Sequence, residues 1–167
     1  MNIQFYLEKL QGFAEFRKFI KKNPSAYLCS GFFSIDKEGK DNQQHLDYYV
    51  PDSKKMFSFQ LEDEIKLIPA QIFDGYVPSK LLVNNDVDFD DIEKLIMEKI
   101  KQENIQNKLQ KILLSLQNKD DSDFFISTIF ISGFGMLKLN IDISKMEVVL
   151  FEKKSFFDIM KIFKRDE

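Results

Sequence analysis

The chain has 167 residues, 44% of them apolar and 31% charged, with a formal net charge of −3 and a pI near 5.3. That length and balance suit one globular domain, 1–167, able to bury a single core without disulfide or metal staples. The acidic balance offers no basic field to attract phosphates, so nucleic acid is not an expected partner. A solitary Cys29 rules out an intramolecular disulfide, and a solitary His45 rules out a multi-histidine metal site.

Eighteen Phe and no Trp, with Arg17 and Arg165 as the only arginines, mark a compositional bias. Aromatics could line an apolar ligand cavity, but their even spread along the chain favours an ordinary core.

From Asn2 to Lys22 the apolar residues Ile3, Tyr6, Leu7, Leu10, Phe13, Phe16, Phe19 and Ile20 fall at helical spacing. Gly12 is a bend point in that helix, and Asn23-Pro24 stops it. Ala26 to Asp36 reads as an extended aromatic strand, joined by the loop Lys37 to Asn42 to a second strand, Gln44 to Val50. In that second strand Leu46, Tyr48 and Val50 alternate with His45, Asp47 and Tyr49. Pro51 to Lys54 is a turn, and Lys55 to Leu61 a third strand. Glu62 to Ser79, broken by Pro69, Gly75 and Pro78, reads as an edge strand and connecting arm.

Asp88 can cap a helix whose first turn holds Asp91 and whose entry is stapled by Val87 against Ile92. The apolar stripe then jumps from Ile100 to Ile105, a rotation of roughly 140° at 3.6 residues per turn. Either one helix kinks there or two helices meet, with Asn104 as the second cap and the second helix running to Leu116; the break is the favoured reading. Phe124 to Ser132 is nearly all apolar, as for a strand covered on both faces. Gly133-Phe134-Gly135 turns into Met136 to Ile143, where Leu137, Leu139, Ile141 and Ile143 alternate with Lys138, Asn140 and Asp142. After a Ser144-Lys145 turn, Met146 to Phe151 completes a second meander. Ser155 to Lys164 reads as a short amphipathic helix, docked on the sheet or free to bind a partner or membrane surface.

The predicted fold is α+β: a helix plus a three-strand antiparallel meander, occurring twice in halves 1–79 and 84–167, with helices on one face and a short C-terminal helix. The N-terminus shows no signal-peptide pattern, and no uncharged apolar run approaches the ~18 residues that span a bilayer. Cytoplasmic placement is expected and membrane association is not.

Tests for chemistry return little. Asp86, Asp88 and Asp90 match the start of a calcium loop, but Asp91 stands where its glycine belongs and Met97 where its bidentate Glu belongs. Gly133-x-Gly135 is too short for a dinucleotide fingerprint, and neither a phosphate loop nor a serine nucleophile elbow occurs. A Cys29/His45 nucleophilic pair would sit on neighbouring strands, but nothing beside Cys29 lowers its pKa. No catalytic residue, cofactor or metal is therefore expected. The least ordinary polar and aromatic cluster, Asn42, Gln43, Gln44, Asp47 and Tyr49, is the candidate recognition surface; these groups could equally satisfy loop and strand backbone.

The phrases Asn42 to Pro51, Leu114 to Asn118 and Phe151 to Asp158 resemble segments of a family of short, uncharacterised archaeal proteins, which brings no assigned activity. More remotely, a helix followed by an antiparallel meander, with Ile-Asp turns at Ile35-Asp36 and Ile141-Asp142, is similar to PepSY-type domains. That resemblance implies a non-enzymatic inhibitory or binding module, commonly extracytoplasmic. The expected function is a non-catalytic cytosolic binding or adaptor domain, with an unknown protein or a second copy as partner. The alternative is a carrier of a small apolar ligand beneath a helix-covered sheet.

Overall fold

The structure, a computed structural model, describes residues 1–84, 86–155 and 160–161. It is an α+β fold built on one eight-stranded antiparallel sheet. Two helices, α1 (Ile3–Gln11) and α2 (Ala14–Lys22), precede four strands: β1 (Tyr27–Asp36), β2 (Gln44–Val50), β3 (Lys55–Gln60) and β4 (Lys66–Ala70). Helix α3 (Phe89–Gln102) leads into four more: β5 (Leu109–Lys119), β6 (Ser122–Ile131), β7 (Gly135–Asp142) and β8 (Glu147–Ser155). The spatial order is β4-β3-β2-β1-β5-β6-β7-β8, so the halves join where β1 pairs with β5. Each half contributes four consecutive strands, not three.

The single helix expected over Asn2 to Lys22 is two, divided at Gly12 and Phe13. Phe13 adopts an extended conformation as the second N-cap, and the Arg17 guanidinium holds the Gln11 and Gly12 carbonyls at 3.1 and 2.7 Å. Those carbonyls have no helical partner once the chain turns, so the cation satisfies them.

The larger correction concerns Ile105 to Leu116, expected as a second helix and found as the central strand β5. Asn104 is not an N-cap. It lies in the left-handed region at φ 55° and closes α3: its amide donates to Lys101 O, and the Ile105 amide to Ile100 O at 3.2 Å. This is a Schellman stop, built around the residue just past the helix end. Beyond it, Ile112, Leu114 and Leu116 take every second position, each at most 1% exposed, because β1 on one side and β6 on the other supply the pairing. The Asp120-Asp121 pair, both at positive φ, forms the two-residue hairpin turn between β5 and β6.

Strand β6 was expected to be covered on both faces. Instead Asp123, Phe125, Ser127, Ile129 and Ile131 are buried, while Phe124, Ile126 and Thr128 are half-buried and Phe130 is exposed. β7 alternates with Leu137, Leu139 and Ile141 fully buried, but Asp142, expected to face outward, is 5% exposed, its carboxylate accepting from Ser144 Oγ and the Lys145 amide at the following turn. The edge strand expected in Glu62 to Ser79 is β4, at one margin of the sheet. Of the expected helix Ser155 to Lys164, Ser155 instead ends β8, Met160 and Lys161 are helical, and the rest lies outside the described residues.

Asp88 caps α3 through a bond from the Asp90 amide at 2.9 Å, and Val87 and Ile92 share the core as a staple. Rings from the helices pack directly on strand rings: Tyr6 on Phe33, Phe16 and Phe19 on Phe59, and Phe89 on Phe33 and Phe125, with centroids 4.6–6.1 Å apart. Many of the phenylalanines therefore fill the core and do not line a cavity.

Candidate recognition surface

The five residues of the expected recognition cluster do not form one surface. Register places Asp47 and Tyr49 on one face of β2 and Gln44, in line with Leu46, on the other, while Asn42 and Gln43 sit in the β1–β2 loop. Tyr49 is 3% exposed and packs against Tyr27, with ring centroids 5.6 Å apart. Asp47 is nearly buried and accepts from Ser30 Oγ at 2.6 Å.

The other three serve the hairpin. Asn42 Oδ1 accepts from the Asp36 amide, and Gln43 Nε2 donates to Asp41 Oδ1. The Gln44 amide donates to Glu62 Oε1 at 2.9 Å. Glu38 and Gly39 amides donate to Asp36 and hold its carboxyl below the usual range, so the loop is closed by its own groups. Asn42, Gln43 and Gln44 do line an open groove of about 700 Å³, whose opposite wall includes Phe5 and Lys9. The Lys9 ammonium is already committed to the Leu61 and Glu62 carbonyls.

The lone thiol and the lone imidazole are not coupled for nucleophilic catalysis. Cys29 is the extra residue of a β-bulge, 4% exposed; its thiol contacts Asp47 O at 3.3 Å and Met56 Sδ at 3.8 Å. Burial first, and the Asp47 charge second, push the thiol up to about 12. His45 stacks on Phe32, and its Nε2 lies 3.8 Å from Asp47 Oδ2. Asp47 thus stands between Ser30 and His45, so the hydroxyl meets the carboxylate and not the imidazole.

Two features escaped sequence reasoning. Asp123 points to the core side of β6, where its carboxylate accepts from the Leu82 and Val83 amides at 3.0 and 2.8 Å and from Asn118 Nδ2 at 2.8 Å. Its signal was parity: an acid in register with Phe125, Ser127 and Ile129 faces inward and must find partners. The bonds pin the arm running from β4 to α3, holding Val83 at φ 48°, a strained value for a β-branched residue. The second feature lies earlier in that arm. Phe73, Tyr76 and Val77 are 87%, 59% and 64% exposed on a tight turn closed by the Tyr76 amide donating to Phe73 O at 3.0 Å. Its signal was Phe73-Asp74-Gly75-Tyr76, a glycine turn with an aromatic on either side.

No family model and no curated protein matches the sequence. The crystal structure of a "putative lipoprotein" from Clostridium difficile 630 is similar in fold, with a TM-score of 0.56 and 14% identity over 84% of this chain and 90% of that one. At that identity the likeness concerns the fold alone.

Proposed function

We propose that the chain is a non-catalytic cytosolic binding domain, which recognises another protein or a second copy through the sheet face opposite α1, α2 and α3. The observation behind this reading is the composition of that face across β5, β6 and β7. Leu113, Phe124, Ile126 and Met136 are half-buried and Phe130 is exposed, with Ser115, Thr128 and Asn140 and the half-buried Lys111 and Lys138 set among them. Every ring contact from α1, α2 and α3 to a strand goes to the opposite face. A half-exposed apolar surface interspersed with polar and lysine side chains suits reversible protein contact.

The blocked geometry of Cys29, His45 and Ser30 supports a role without catalysis. The interlocked rings under the helices support a filled core over a carrier cavity. The cytosolic assignment rests on composition, with one buried thiol and no disulfide. The PepSY-type resemblance agrees with a binding role and leaves the partner open.

The test is capture by the immobilised full-length chain, comparing wild type with Ile126→Lys and with a Gln43→Ala/Gln44→Ala control, alongside sedimentation of each. Loss of a captured protein, or of self-association, in Ile126→Lys with retained folding and an unaffected control supports the face. Equal capture by all three chains overturns it.

A further inference from the structure

We infer that two copies of the chain pack face to face through the sheet face opposite the helices, as a symmetric dimer in which Lys138 of each copy meets Asp47 of the other. The inference rests on the binding-domain reading above and names its partner as a second copy.

The face carries a nearly buried anion and a half-buried cation that the fold leaves unmatched. Asp47 on β2 is 9% exposed and accepts one side-chain hydrogen bond, from Ser30 Oγ, with the His45 imidazole 3.8 Å away. A carboxylate so deeply set ordinarily has several donors or a cation beside it. Lys138 on β7 is half-buried and makes no ion pair among the described residues, because Glu152, directly across on β8, is engaged by Lys154 at 3.8 Å. The other lysines of the face are accounted for: Asp41 holds Lys111 at 2.7 Å, and Lys66 is exposed on edge strand β4.

Register keeps the two charges apart within one chain. Asp47 lies in the cross-strand row of Ser30 and Gln117, and Lys138 in the row of Ser34, Leu113 and Thr128, four residues further along β1. With about 4.8 Å between neighbouring strands and 3.4 Å per residue, Asp47 and Lys138 are roughly 23 Å apart, too far to pair.

The same register points to a twofold axis. The midpoint between Asp47 and Lys138 falls on Ser115, which has Phe32 on one side and Ile126 on the other in its own row. An axis lying in the interface over Ser115 places each Lys138 on Asp47 of the second copy, so both charges are matched twice. It also sets the small Ser115 against itself, which lets the flanking apolar side chains close around it. From β2 to β7 over these rows the face measures about 24 by 20 Å with side-chain width included, roughly 1,000 Å² for two copies, the size at which specific interfaces begin.

The test is sedimentation equilibrium of the full-length wild type, with zero-length carbodiimide cross-linking of the same sample. The expected result is a dimer whose cross-linked band yields a peptide joining Asp47 to Lys138. Lys138→Asp weakens dimerisation about 100-fold, as reversal within two close charge pairs requires, without lowering the melting temperature. Asp47→Lys does the same, and an equimolar mixture of the two variants recovers a heterodimer, because each reversed charge then faces its opposite. If Asp47→Lys does not fold, Lys138→Asp and the wild-type cross-link decide alone. A wild type that stays monomeric at its highest soluble concentration overturns the dimer; capture of another protein that Ile126→Lys abolishes would then leave the binding-domain reading standing, and equal capture would remove both. A dimer lacking the Asp47–Lys138 cross-link, or one whose affinity Lys138→Asp leaves unchanged, also rejects the inference.

Discussion

Asp123→Ala tests the central structural claim about the arm, that one inward carboxylate on β6 holds it against the sheet. The substitution removes the acceptor for the Leu82 and Val83 amides and the Asn118 side-chain amide. Hydrogen bonds to a charged group contribute about 1.5–3 kcal/mol each, but these share one partner and water can reach the vacated site. Release of Val83 from positive φ returns about 1 kcal/mol of strain. The net expectation is a loss of about 3 kcal/mol, or roughly 6–12 °C in melting temperature for a chain of this size. Asp123→Asn keeps one acceptor oxygen and should lose about half as much. Calorimetry gives the magnitude, and amide exchange at Leu82 and Val83 gives the location: both should lose protection while β7 amides keep theirs. Unchanged exchange at those two amides with an unchanged melting temperature would refute the pinning role. A loss of protection spread evenly over the sheet would show instead that Asp123 stabilises the fold as a whole.

Ser127→Ala should stabilise the protein by about 1 kcal/mol, read from the urea midpoint, because Ser127 Oγ is fully buried without a hydrogen-bond partner among the described residues. A clear loss of stability would mean that the hydroxyl is satisfied. Cys29 should resist thiol reagents at neutral pH until the chain unfolds, as its thiol is held near 12. The sign of the pH effect follows: above about 9, where an unfolded thiol ionises, the unfolded state sheds a proton that the folded state keeps, so stability falls as pH rises towards 12. Tyr48, raised from 10.0 to about 12 by burial, acts in the same direction. Unfolding free energies measured from pH 8 to 10.5 should therefore slope downward, and a flat profile would contradict the burial of these groups. Asn104→Val should cost about 1–2 kcal/mol and Asn104→Gly almost nothing, since only glycine or asparagine rests easily at φ 55°. The reverse order in equilibrium denaturation would return Asn104 to the helical conformation.

Local patterns in the chain carried much of the architecture. The alternation of Leu46, Tyr48 and Val50, and of Leu137, Leu139 and Ile141, reads directly as half-buried strands, because side chains of an extended chain point to opposite faces. The start of α3 was equally legible: an N-cap, first-turn acids and a staple are interactions between near neighbours. Residues 105–117 were not. Ile105, Leu109, Ile112, Leu113 and Leu116 satisfy helical spacing as well as Ile112, Leu114 and Leu116 satisfy strand spacing. What decides between them is pairing with β1, some eighty residues earlier in the chain, and no local window contains that partner.

The same division applies to the surface. The polar wealth of Asn42, Gln43 and Gln44 was visible in the sequence, but the bonds of the Asn42 and Gln43 side chains to Asp36 and Asp41, and of the Gln44 backbone amide to Glu62, became visible only when the hairpin closed. Burial of Tyr49 likewise depends on Tyr27 from the neighbouring strand. Composition showed a phenylalanine-rich chain, and periodicity placed most of its strands and gave the α+β class. Tertiary structure alone decided which aromatics fill the core and which stand in water at Phe73 and Tyr76, because exposure depends on what the rest of the chain leaves uncovered.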